Sequence, residues 1–299
     1  MKSRILAPVG LSVYNRLTHI KKTIEALSKN ELASDTELYI FSDAPRLGDE
    51  EKVDEVRAYL RSIVGFKKVE IVERDENNRV ANNRNGMRQL LDSFGRMIWL
   101  EEDIVTAPGF LEFMNSALDF YESDPRVFSI CGYAPPLKLN LSEDVFALGR
   151  FCAWGFAMAK SNFESIKAIP FDAPSKVDEA RLGLYGDDIY KLLCMDASGE
   201  IDALDVKAMF YQYQTGKLTI YPRESLVQNI GYDGSGLHCG QTDKFDHEYL
   251  WKKERSFDYV EGIEPEPFII KKNKKFRADK RLKRLRKWFR GLSLIKMFR

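Results

Sequence analysis

"MIWLEEDIVTAPGFLEFMNSALDFY", residues 97–121, sets an apolar run, Met97 to Leu100, directly before three acids, Glu101, Glu102 and Asp103. Apolar residues then recur at helical spacing toward Tyr121. The first part reads as a buried strand. Neighbouring carboxylates repel one another and are costly to desolvate, so the acids belong where a strand leaves the core, or where a cation is held. A strand ending in acids and followed by a helix is one beat of an α/β chain.

The same rhythm runs upstream. "ILAPVGLSV" and "TELYIFSD" read as strands around a helical "THIKKTIEALSKN". "DEEKVDEVRAYLRSIV" reads as helix, "KKVEIVER" as strand, "NRNGMRQLLDSF" as helix and "RMIWLEED" as strand. The expectation is an α/β fold with a mostly parallel central sheet, which takes ligands outside the carboxyl ends of its strands. Asp43 and the acids at 101–103 would emerge at that edge and face one cleft.

The second half is less regular. Strand-like "RVFSICGY", the Gly/aromatic "FCAWGFAM", helical "YGDDIYKLLCMD", a helix from about Leu204 to Tyr213 and strand-like "KLTIYP" precede the glycine-rich "NIGYDGSGLHCG". The expected organisation is a nucleotide-binding half over 1–133, an acceptor-binding half over 134–270, and a separate tail over 271–299.

The chain has 299 residues, 44% of them hydrophobic, enough for one large core. Its four cysteines lie apart with no C-x-x-C pair, which argues against a zinc knuckle or a disulfide framework and for a reducing compartment. Neither a secretory leader nor a membrane-spanning run is read, so a cytoplasmic protein is expected. The net charge of +1 hides an asymmetry: residues 271–299 hold 14 Lys/Arg and one acid, a charge of +13, against −12 for the rest. In that tail Leu282, Leu285, Phe289, Leu292 and Ile295 recur at helical spacing, with Lys and Arg on the other face. A basic amphipathic helix of this kind suits an anionic membrane surface, peripheral on the inner face of the cell membrane, and no nucleic-acid module accompanies it.

"LEEDIVTAPGFLEFMNSALDFYESDPRVFSICGY" resembles the segment around the "EDD" motif of GT-A glycosyltransferases, the family 2-like and N-acetylglucosaminyltransferase I-related enzymes of bacterial surface polysaccharide synthesis. The resemblance runs along nearly the whole chain before the tail. It implies a Rossmann-like nucleotide-sugar-binding fold and transfer of a hexosyl or N-acetylhexosaminyl group from a nucleotide donor, expected to be UDP-linked, to a glycan or lipid-linked saccharide. "APVGLSVYNR" and "LYIFSDAPR" are similar to the family's first two strands, which implies that Pro8, Tyr14, Asn15, Arg16 and Asp43 line the nucleotide site. In "RDENNRVANNRNGMRQLL" Arg79 stands where a glycine is common; Arg79 or Arg84 would approach phosphate or base, or lie at the surface of a helix start. Asp103 matches the metal-ligating acid, for Mn2+ or Mg2+, with Glu101 and Glu102 orienting sugar and water. Trp154 matches the floor of the sugar pocket, or packs in the core.

The transfer also requires a base for the acceptor hydroxyl. By the family block around "LTIYP" and "NIGYDGSG", Asp205 is the first choice, Asp202 the second, and Asp187 or Asp188 the third; each is equally a residue favoured at a helix start. The tryptophans that flank this acid in the family are missing here. His238 matches the histidine of the family's "GSGTH" and would meet metal or phosphate. Two other readings are open: a nucleotidyltransferase, for which "APVGLSVYNR" lacks a glycine-rich phosphate loop, and a non-catalytic glycan- or lipid-binding protein on a decayed transferase scaffold.

Overall fold

The computed structural model describes residues 4–168, 177–235, 241–245 and 256–278. Ten strands and nine helices fall in these segments: β1 (Val9–Val13), α1 (Leu17–Ser28), β2 (Glu37–Ser42), α2 (Glu50–Leu60), β3 (Lys68–Glu73), α3 (Arg79–Phe94), β4 (Arg96–Glu101), β5 (Ile104–Thr106), α4 (Phe110–Phe120), β6 (Val127–Cys131), β7 (Val145–Leu148), β8 (Phe156–Ala159), α5 (Lys160–Ala168), α6 (Glu179–Leu182), α7 (Ile189–Ala197), α8 (Leu204–Thr215), β9 (Leu218–Pro222), β10 (Val227–Asn229) and α9 (Pro267–Arg277).

The main sheet has the order β3-β2-β1-β4-β8-β6-β9-β7. Strands β3, β2, β1 and β4 run parallel, as do β6 and β9, while β8 is antiparallel to both β4 and β6 and β7 is antiparallel to β9. This is the mostly parallel α/β sheet expected. A second, two-stranded sheet pairs β10 with β5, setting Asn229 opposite Ile104.

The central strands are buried on both faces, which is why they read as continuous apolar runs. One core joins Leu11, Leu38, Ile98 and Ile130 to α1 and α4 through Ile20, Leu27, Phe110 and Phe113. The other joins Phe41, Trp99, Phe156 and Met158 to α3, α7 and α8. Two glycines let α3 lie directly on the sheet. A β-carbon on Gly10 would fall 2.5 Å from Trp99, and one on Gly86 would fall 2.8 Å from Trp99 and 2.9 Å from Phe41. Asn78 caps α3 by accepting from the Ala81 N–H, and Gly95 ends it with a left-handed φ of 76°.

Several elements depart from the sequence expectation. The strand at 96–103 stops at Glu101; Glu102 and Asp103 form a turn into the short β5. β7 and β10 arise where no alternation announces them, each made by pairing with a distant strand. Residues 271–277, expected in a separate tail, continue α9, where Ile269 and Asn273 are buried. The amphipathic row from Leu282 to Ile295 lies outside the described residues. No helix among the described residues is long and apolar enough to cross a membrane.

Candidate active site

The carboxyl ends of β1, β2 and β4 open into one cleft of about 310 Å³. Asp43 and all three acids of the 101–103 turn line it. The turn gives each acid a different environment.

Glu102 is buried, and both of its oxygens are engaged: Oε2 accepts from the Tyr14 N–H at 2.6 Å and Oε1 from Arg16 Nε at 2.5 Å. Burial pushes its carboxyl up, against the Arg16 charge and the Tyr14 N–H. Glu102 thereby fixes the Tyr14-Asn15-Arg16 turn at the base of the cleft. Asp103 is 8% exposed, and its Oδ2 accepts from Arg16 Nη2 at 2.8 Å. Its Oδ1 is buried with no hydrogen-bond partner among the described residues. The Ile230 N–H donates to the Asp103 carbonyl at 2.9 Å, so the end of β10 is clamped to the acid turn. Burial first, then the Asp103 charge, raise the Glu101 carboxyl to about 7; Arg79 opposes this and Asp205 adds to it. Burial works against the Arg16 charge, yet Glu102 and Asp103 outweigh it and hold the guanidinium firmly protonated.

A divalent cation fits this corner. A carboxylate oxygen buried without a partner is unfavourable, and a hard cation takes oxygen ligands, often one or two carboxylates plus water and substrate phosphates. Among the described residues no group of three or more His, Cys, Asp or Glu is gathered as a ligand set, so Asp103 is the residue that would hold it. His238 lies outside the described residues.

Tyr14, Asn15, Arg16, Asp43 and Arg79 all line the cleft. Asp43 ties the end of β2 to the start of α3: its Oδ1 accepts from the Ala44 and Asn78 N–H groups, each at 3.0 Å, and its Oδ2 from Asn77 Nδ2 at 3.2 Å. The Tyr14 hydroxyl donates to Asp49 at 2.9 Å and accepts from the Arg46 N–H at 3.0 Å. Pro8 is elsewhere. It precedes the amino end of β1, where its carbonyl accepts from the Ile98 N–H, and a strand rising about 3.3 Å per residue carries the cleft well away from it. Arg84 is also outside the cleft, paired with Asp202.

The base candidates separate by their partners. Asp202 is exposed and pairs with Arg84 and Lys207, which more than offset the effect of burial and lower its carboxyl. Asp188 is held by the buried Arg150 through two hydrogen bonds of 3.0 and 2.7 Å, and here too the arginine outweighs burial and lowers the carboxyl. Asp205, in the first turn of α8, has neither kind of ion pair; burial raises it, with backbone N–H groups, Arg150 and Arg79 opposing. Asp205 is not itself among the residues that line the cleft; its charge acts on Glu101, which is.

Trp154 closes the floor on the other side. It lines the cleft and is braced edge-to-face by Tyr133 at 4.7 Å, Phe245 at 5.2 Å and Tyr232 at 5.5 Å between ring centres. The aromatic placement thus joins both sequence readings, half packed in a cluster and half facing the cleft. Sequence reasoning missed Arg46, Asn77, Asn83, Asn229 and Gly231, which also line the cleft. Asn83 accepts from Ser12 Oγ, bringing α3 onto β1 at 2.5 Å. Asn229 and Gly231 arrive through the β10–β5 pairing, and their one sequence sign is the "NIG" that opens the glycine-rich stretch.

No protein-family model matches the sequence, and no curated protein sequence matches it. Solved structures to which the chain is similar include the mannosyltransferase PcManGT from Pyrobaculum calidifontis in complex with GDP-Man and Mn2+, at 12% identity and a TM-score of 0.41, covering 72% of this chain and 71% of that one. S. aureus TarS 1–349 is similar at 10% identity and a TM-score of 0.46, over 77% of this chain and 62% of that one. A cytidylyltransferase from Leptospira borgpetersenii is similar at 11% identity and a TM-score of 0.36, over 56% and 65%. The chain therefore spans less than two thirds of the length of two of these three. The sheet order places the acid turn at the carboxyl end of β4, the ligand edge of a mostly parallel α/β sheet.

Proposed function

We propose that this chain is a metal-dependent, inverting glycosyltransferase that moves a sugar from a UDP-linked donor to a glycan or lipid-linked saccharide in cell-surface polysaccharide synthesis. The observation that carries the reading is the buried, unpartnered Asp103 Oδ1 at the base of a strand-end cleft. The GT-A resemblance of the sequence supplies the substrate class.

Asp103 would hold Mn2+ or Mg2+, which when bound supplies Lewis-acid stabilisation of the departing diphosphate. Arg79, on the first turn of α3, adds positive charge at the rim. Asp43 and Asn77 meet the nucleoside, and the face of Trp154 receives the apolar side of the sugar ring. Glu101 orients the sugar hydroxyls. Asp205 takes the acceptor's proton as its oxygen attacks the anomeric carbon and the bond to the diphosphate breaks on the opposite face. A carboxyl raised by burial is a stronger base than one locked in an ion pair, which favours Asp205 over Asp202 and Asp188.

Binding and hydrolysis of UDP-, GDP-, dTDP- and CMP-sugars with manganese test the reading. The expected result is turnover of a UDP-sugar that disappears in Asp103→Ala while the fold persists. Binding without turnover would make the chain a sugar-nucleotide-binding protein on a transferase scaffold, and no interaction with any donor would overturn the proposal.

A further inference from the structure

Among the described residues, Arg16 is the cation that forms salt bridges with the acid turn. Its Nε is bonded to Glu102 Oε1 at 2.5 Å and its Nη2 to Asp103 Oδ2 at 2.8 Å, so the guanidinium spans the two carboxylates. Each Glu102 oxygen already has a donor, the second being the Tyr14 N–H. Asp103 offers one engaged oxygen and one unpartnered among the described residues, and Gly231 lies so close to Oδ2 that a β-carbon there would fall 2.2 Å from it.

We propose that Arg16 is a resident counter-cation that makes divalent-cation binding at Asp103 depend on the donor's diphosphate. The inference rests on the transferase reading of the same site. With Arg16 bridging them, Glu102 and Asp103 together present one net negative charge, and a divalent ion arriving alone meets a guanidinium fixed on the neighbouring oxygen. Two positive groups a few ångströms apart in a partly desolvated corner repel strongly. The donor changes this balance: its diphosphate brings negative charge for both cations, and the Nη2 arm can turn from Asp103 to a phosphate oxygen while Nε stays anchored on Glu102. Donor and cation then assist one another's binding, which is a coupling free energy between two ligands. Arg16 is on this account a positioning residue whose effect is exerted on the cation.

The test is manganese titration of the full chain, read by the electron paramagnetic resonance of free Mn2+, without nucleotide and then with UDP or GDP. Wild type should bind Mn2+ weakly alone and roughly 5- to 100-fold more tightly with the nucleoside diphosphate that it accepts, the usual range for such coupling. In Arg16→Gln, Mn2+ alone should bind at least about fivefold more tightly than to wild type, and the nucleotide-dependent gain should collapse. Arg16→Lys, which keeps the charge, should bind Mn2+ alone as weakly as wild type. Damage to the fold lowers metal affinity, so a gain is an outcome that a merely structural role does not give. Unchanged or weaker binding of Mn2+ alone to a folded Arg16→Gln would overturn the inference. The donor-free titration keeps its meaning if no nucleotide binds, in which case the transferase reading falls separately.

Discussion

Gly231 stands so close to Asp103 that a β-carbon on it would lie 2.2 Å from Oδ2. The approach follows from the Ile230 N–H bond to the Asp103 carbonyl, which draws the chain leaving β10 over the acid turn. Nothing bulkier than hydrogen fits there without moving the carboxylate. Gly231→Ala should therefore leave folding largely intact and weaken Mn2+ binding and donor turnover together, on the order of tenfold or more, as displaced charge-stabilising groups do. Normal metal affinity in this variant would show that the Asp103 position is not needed.

Asp103→Asn preserves size while removing the charge. Turnover should fall about 10²- to 10³-fold, the range for loss of one preorganised electrostatic group. Steady-state kinetics with the accepted donor, beside a melting curve, measure it. Retention of more than a tenth of the wild-type rate would contradict the role assigned to Asp103.

The three base candidates should respond differently to Asp→Asn. Asp205→Asn should reduce kcat about 10²- to 10⁴-fold with little change in nucleotide affinity. Asp202→Asn, on an exposed ion pair, should leave kcat within a few-fold. Asp188→Asn should act on stability, by about 2–3 kcal/mol, because the buried Arg150 loses a charged partner. An active Asp205→Asn with an inactive Asp202→Asn would reassign the base.

Asp205 also carries a pH signature. Its folded carboxyl is raised above the ordinary 3.8, so the folded state holds that proton more tightly than the unfolded chain does. The stabilisation is complete below about pH 3.8 and is lost as pH rises through the folded value. Asp205→Asn should thus melt higher than wild type at pH 7, by about 2–4 °C for each kcal/mol relieved, and the gap should close toward pH 4. A gap of the same size at both pH values would contradict this.

The basic tail is tested by truncation at Ala278, which spares α9 and its buried Ile269 and Asn273. The full chain should sediment with anionic vesicles at low salt, while the shortened chain stays in the supernatant and keeps donor binding. Equal partitioning of the two would remove the membrane from the account.

Local pattern was enough for most elements. Apolar runs bounded by polar turns marked β1, β2, β4, β6 and β9, and periodicity marked α1, α2, α3, α7 and α8, because burial on both faces of a parallel sheet writes itself into contiguous sequence. The strand-end rule then sent Asp43 and the 101–103 acids to one edge. β7 and β10 were not legible, being short strands defined by partners far along the chain.

What the sequence determined by itself was the α/β class, the edge at which the site lies and the acids that stand there. The tertiary structure decided what each acid does. The Arg16 bridge from Glu102 to Asp103, the clamp of β10 on the acid turn, and the ion pairs that engage Asp202 and Asp188 but not Asp205 all depend on residues brought together from separate elements. A carboxylate's chemistry is set by burial and by the charges a few ångströms away, and those neighbours are chosen by the fold, not by adjacency in the chain.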